Sequence, residues 1–139
     1  MKKSIALLLG FLLAFAACRR DSPETQIQRA FSDCLKAIEA SEASAATEVL
    51  HPQFQGPESM DRAAARLYLM GLFRREKAGI TILRNELRVE GSKGYQQVEL
   101  LLTSKTPSGL LPQEASRRIF QLLWKSEDHR WFLVELQTL

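Results

Sequence analysis

The hydrophobic period of this chain changes at Gly79, and that change limits its folds more than any other feature. Before it, Ile27, Phe31, Cys34, Leu35 and Ile38 recur at helical spacing, with Ala30 filling in. After it, ITILRNELRVE alternates. Thr81, Leu83, Asn85, Leu87 and Val89 share one face, and Arg84, Glu86, Arg88 and Glu90 the other. Helices that come first and strands that come last cannot interleave as βαβ units. The pattern is α+β: N-terminal helices on one face of a four-stranded antiparallel sheet.

Local signals place the elements. Ser22-Pro23-Glu24 offers a capping hydroxyl, a proline for the first helical position and an acid beside the positive dipole end. That helix should run to about Ala40. Ser44 caps a short second helix through Val49 and Leu50, which Pro52 ends, and QFQGPES reads as a loop. Ser59 caps a third helix from Met60 to about Lys77, with Ala63, Ala64, Leu67, Met70 and Phe73 as its inner stripe. Four strands follow: ITILRNELRVE, YQQVELLLTS, RRIFQLLWK and RWFLVELQT. Trp124 and Trp131 stand symmetrically about the last turn, as a cross-strand aromatic pair would.

The amino-terminal stretch sets the address. Met1-Lys2-Lys3 begins the chain with positive charge, and Ser4 to Ala17 carries none. That run falls short of the roughly 20 residues of a transmembrane helix and reads as a secretory signal. Ala14-Phe15-Ala16 fits ordinary signal cleavage. Phe15-Ala16-Ala17-Cys18 instead resembles the bacterial lipobox, in which the cysteine thiol receives diacylglycerol and becomes the mature first residue. The resemblance implies a signal peptide over residues 1–17, a lipidated tether over 18–22 and a domain over 23–139. It makes Cys18 the lipidation site and the lipid bilayer a partner. With Cys18 acylated, Cys34 has no intramolecular partner, and a small buried hydrophobe is its expected role. Arg19 does not resemble the aspartate that retains such proteins at the inner membrane of enteric bacteria, which points to the outer membrane, facing the periplasm. Without Lys2 and Lys3, 17 basic side chains face 16 acidic ones, so the formal charge falls from +3 to +1. No clustered basic footprint argues for nucleic acid.

The order long helix, short helix, LHPQFQG, third helix and strand meander, ending in W…RWFLVEL, resembles the nuclear transport factor two-like superfamily. The resemblance covers about Thr25 to Leu139. It implies a curved sheet and helices forming a cone with an apolar cavity. Members include ketosteroid isomerases, polyketide cyclases, dehydratases and non-catalytic binding domains, so fold alone leaves activity open. His51, with Asp61 and Tyr68, is the candidate acid/base cluster at the cone mouth. Asp61 equally suits the first turn of the third helix, and His51 an exposed loop. Gln53 stands where related enzymes frequently carry an acid. Glu135 alternates with Trp131 and Leu133 and could point into the cone, where its carboxyl would act as a base or meet a ligand. For both Glu135 and Glu99 the first reading is a carboxylate facing solvent.

Tyr68, Trp124, Trp131 and Glu135 are therefore the ligand-binding candidates, and His51, Asp61 and Glu135 the catalytic ones. The sequence has no metal-ligand spacing, nucleophile elbow or glycine-rich phosphate loop, so neither metal nor cofactor is expected. Arg62, Arg66, Arg74, Arg75 and Lys77 read as a solvated helix face. Leu110 and Leu111 lie on a long connection and either fold inward or mark a contact surface. The expectation is a non-catalytic envelope lipoprotein that binds a small apolar ligand, an envelope protein or a second copy of itself. The alternative is a small lyase or isomerase of the cyclase-like or ketosteroid isomerase-like kind.

Overall fold

The structure is a computed structural model that describes residues 21–104 and 115–139. Cys18, Leu110 and Leu111 lie outside the described residues. Helix α1 (Pro23–Glu39) starts as expected: the Ser22 hydroxyl accepts the Thr25 amide at 3.2 Å, with Pro23 and Glu24 in the first turn. Its inner stripe buries Ile27 and Phe31 completely or nearly so.

Helix α2 (Ala43–Thr47) is shorter than the sequence suggested, and the next segment is not a loop. Leu50–Gln55 forms β1, an edge strand parallel to β5 (Arg130–Thr138), with Leu50 opposite Leu133 and Gln55 opposite Glu135. Thr47 and Val49 are β-branched, and the Leu133 amide donates to the Val49 carbonyl at 2.9 Å. Tertiary pairing wins there over continued helix. Pro52 is tolerated because β1 lies on the sheet edge and its pairing is irregular.

A single 3₁₀ turn over Pro57–Ser59 follows, with Glu58 and Ser59 both in the left-handed region (φ 57° and 61°). That conformation disqualifies Ser59 as a cap. Asp61 caps α3 (Arg62–Arg75) instead, its carboxylate accepting the Ala64 amide at 2.8 Å. The helix is also rotated from the expected orientation. Ala65, Leu69, Leu72 and Phe73 face inward, and Ala63, Ala64, Leu67 and Met70 face out. Apolar residues surround α3, so its sequence alone could not say which side would be covered.

Strands β2 (Ala78–Glu90), β3 (Lys93–Ser104), β4 (Ser116–Glu127) and β5 complete a mixed five-stranded sheet in the order β1-β5-β4-β3-β2. The strand count is five rather than four because of β1. Leu83 sits at a break of register between Ile82 and Arg84. This bulge moves Thr81 off the inner face, where Ile80 and Ile82 oppose Leu102 and Leu100. A second bulge, between Leu123 and Trp124, inserts Val134 into β5. Bulges bend strands and increase twist, which curves the sheet around α1. The β4–β5 turn holds Asp128 and His129 at φ 50° and 63°, the paired left-handed residues of a two-residue hairpin.

The core lies between α1 and the concave sheet face: Ile27, Phe31, Phe54, Val98, Leu100, Leu122, Trp124 and Leu133. Gly94 allows α1 its closest approach, since a Cβ there would stand 2.7 Å from the Ile27 side chain. Burial of each large side chain contributes about 1.5–3 kcal/mol.

Candidate functional site

His51 enters the structure from β1, buried and edge-on to Phe132 with ring centroids 5.7 Å apart. Its Nε2 lies 2.9 Å from a Glu127 carboxylate oxygen, and its Nδ1 accepts the Gln53 backbone N–H at 3.0 Å. A backbone amide can only donate, so Nδ1 carries no proton and Nε2–H is the donor to Glu127. Both nitrogens are therefore committed within the fold. A general base needs a free lone pair on the ring, and the Gln53 amide occupies it.

The His51 hydrogen bond, followed by that from Lys125, holds the Glu127 carboxyl below its ordinary value of 4.5. Lys125 reaches it at 3.3 Å. A lowered folded-state value means the pair stabilises the fold fully above the ordinary range and loses that contribution as pH falls through the lowered one. Urea midpoints measured below pH 4.5 should accordingly fall more steeply for the native chain than for Glu127→Gln. At neutral pH the variant should be slightly the less stable of the two, because a neutral amide accepts the His51 proton more weakly.

Beneath α1 runs a chain of amides. Trp124 Nε1–H donates to Gln96 Oε1 at 2.8 Å, Gln96 donates to Asn85 Oδ1 at 2.9 Å, and Asn85 donates to Gln28 at 2.8 Å. Trp124 and Gln96 are both nearly inaccessible (1% and 3% exposed), so an unpaired group there would be costly. Every link from the sealed centre to α1 is made. The chain orients α1 on the sheet and leaves no unpaired group for a ligand.

Two grooves flank α2. One, of about 320 Å³, lies between α1, α2 and the β4–β5 turn and is bordered by Arg29, Asp33, Cys34, Glu48, Arg130 and Trp131. Burial pushes the Cys34 thiol up to about 11, and its S–H donates to the Ala46 carbonyl at 3.3 Å. The other, of about 1190 Å³, lies between α2 and α3 and is walled by Thr47, Pro52, Ala63, Arg66, Leu67 and Met70.

The expected cluster of His51, Asp61 and Tyr68 is not assembled. Asp61 is occupied as a helix cap, and Tyr68 is 57% exposed on the outside of α3. Glu135 does not point into the cone either. The bulge at Val134 places it opposite Leu123 on the convex face, where the Gln137 amide donates to it. Trp124 is sealed in the core, opposite Leu133 rather than Trp131, and Trp131 borders the smaller groove from a buried position. Glu99 faces outward, 2.9 Å from Arg117. Sequence reasoning missed Glu127, which sat in an apparent polar turn with no local signal. It also missed Gln96, whose parity with Val98 and Leu100 did mark it as inward. Among the described residues no group of three or more His, Cys, Asp or Glu side chains is placed to hold a metal.

A curved sheet wrapped on a long helix, with two shorter helices at its edge, is the cystatin-like, nuclear transport factor two-like fold, and the domain has it. No protein-family model and no curated protein matches the sequence. Solved structures do. A proposed scytalone dehydratase from Novosphingobium aromaticivorans superposes with a TM-score of 0.71 at 12% identity, covering 84% of this chain and 83% of that one. An uncharacterised cystatin-like protein from Caulobacter vibrioides gives 0.68 at 14%, covering 84% and 89%. A proposed calcium/calmodulin-dependent protein kinase II association domain from Xanthomonas campestris gives 0.71 at 10%, covering 85% and 87%. At such identities the likeness carries the fold and not the activity.

Proposed function

We propose that this chain is a lipid-anchored envelope protein whose cone-shaped domain binds a partner beside the bilayer without catalysing a reaction. The anchor rests on the leader: positive charge, an uncharged run over residues 4–17, then Cys18 behind two alanines. The single observation that carries the non-catalytic reading is the double engagement of the His51 ring by Gln53 and Glu127. A lyase or isomerase of the dehydratase-like kind would need that ring to exchange a proton with substrate, and the fold already uses both of its nitrogens. Binding is supported on the helical side, where the larger groove presents Ala63, Leu67 and Met70. Its volume exceeds that of ordinary ligand sites, about 300–1,000 Å³, which suits an apolar occupant that does not have to be enclosed.

The test is the intact mass of the protein extracted from membranes. The expected species begins at Cys18 and carries diacylglycerol on its sulfur. A polypeptide beginning at Ala17 with a free thiol, recovered in the soluble fraction, would overturn the reading.

A further inference from the structure

We propose that the outer face of α3 is a contact surface for an anionic lipid bilayer. The inference rests on the anchoring reading and names the partner of the same helical side. Leu67 is 68% exposed, Tyr68 57% and Met70 38%, and Ala63 and Ala64 adjoin them on the solvent side of one helix. An ordinary soluble domain has little reason to keep that many large apolar groups in water on a single helix. Arg62, Arg66, Arg74 and Arg75 are exposed on the same helix, and none of them makes a salt bridge among the described residues, whereas Arg29, Arg84, Arg88 and Arg117 all do.

Within α3 there is no acidic side chain. Its four charges are all arginines, between the capping Asp61 before it and Glu76 after it. Apolar groups flanked by arginines without a salt bridge among the described residues complement a headgroup layer that is negative outside and apolar a few ångströms below. A protein partner would have to match both features with acidic and apolar groups of its own, and an anionic membrane has both everywhere. A tether from Arg19 to Ser22, with a reach of at most about 14 Å, keeps the whole domain close to the bilayer.

The experiment uses the full chain carrying Leu67→Cys, an exposed position whose replacement leaves the core intact, labelled with a polarity-sensitive fluorophore. It is reconstituted in vesicles of phosphatidylcholine alone or mixed with phosphatidylglycerol. The expected result is a blue-shifted label, quenched by brominated lipid, in the anionic vesicles only, and reversed by high salt. Arg66→Gln, Arg74→Gln and Arg75→Gln combined should lower the ratio of lipid-contacting to water-exposed label by on the order of a hundredfold. A protein that floats with both kinds of vesicle while its label stays in water overturns this inference and leaves the anchor standing. Equal lipid contact in neutral vesicles also overturns it, since charge would then have no part. A chain that fails to float, and whose Cys18 takes up the label, overturns the anchoring reading and this one with it.

Discussion

Replacing Trp124 with alanine is expected to destabilise the domain by about 4 kcal/mol, a large share of the roughly 5–15 kcal/mol that holds a domain of this size. Two effects add. The indole is 1% exposed at the centre of the concave face, so truncation leaves a cavity against Gly94 and its neighbours. It also removes the donor to Gln96 Oε1, leaving a buried amide oxygen unpaired. Trp124→Phe separates the effects, because it keeps most of the volume and loses only the donor. It should cost about 1–3 kcal/mol. Adding Gln96→Leu to Trp124→Phe should not recover the whole loss, because Asn85 Oδ1 would keep only the longer bond from Gln28, at 3.4 Å. Urea midpoints at fixed slope report all three. A Trp124→Ala midpoint close to that of the native chain would show that the core is not organised around this ring.

The second large effect belongs to Cys18. Cys18→Ser should move nearly all of the mature protein from the membrane to the periplasmic soluble fraction. Each buried methylene of an acyl chain contributes about 0.8 kcal/mol, and stable anchoring takes two membrane signals. With the chains gone, α3 alone would supply weak, salt-sensitive attraction. The fractionation must be read on the cleaved form. An uncleaved precursor keeps its apolar run from Ser4 to Ala17 and differs in mass. Cleaved Cys18→Ser protein that stays with membranes through a high-salt wash would contradict lipidation as the anchor.

How much of this was legible beforehand differs from one element to the next. The α1 cap and stripe could be read because local chemistry and tertiary packing agree there: Ser22, Pro23 and Glu24 act within one turn, and Ile27 and Phe31 bury as their spacing demands. Strand β1 was hidden because its partner among the described residues is β5, about eighty residues away, and Pro52 argues locally against a strand. The orientation of α3 was hidden because the helix has apolar residues on all sides. Ser59 looked like a cap until its left-handed backbone removed it.

The candidate site fared worse for a related reason. Alternation along β5 aimed Glu135 inward, and one inserted residue, Val134, turned it outward. His51 was rightly singled out as unusual, but its partner Glu127 is 76 positions away and carries no local mark. Roles set by long-range pairing and by register breaks are not written in any short window of sequence.

The proposed non-catalytic reading turns on His51 being held by Gln53 and Glu127, and the tautomer of its ring tests that most directly. In ¹⁵N-resolved long-range spectra of the imidazole ring at neutral pH, the proton should reside on Nε2, with Nδ1 appearing as a hydrogen-bonded acceptor. A ring protonated at Nδ1, or one exchanging freely between tautomers, would mean that Gln53 and Glu127 do not hold it and that His51 is available for catalysis after all.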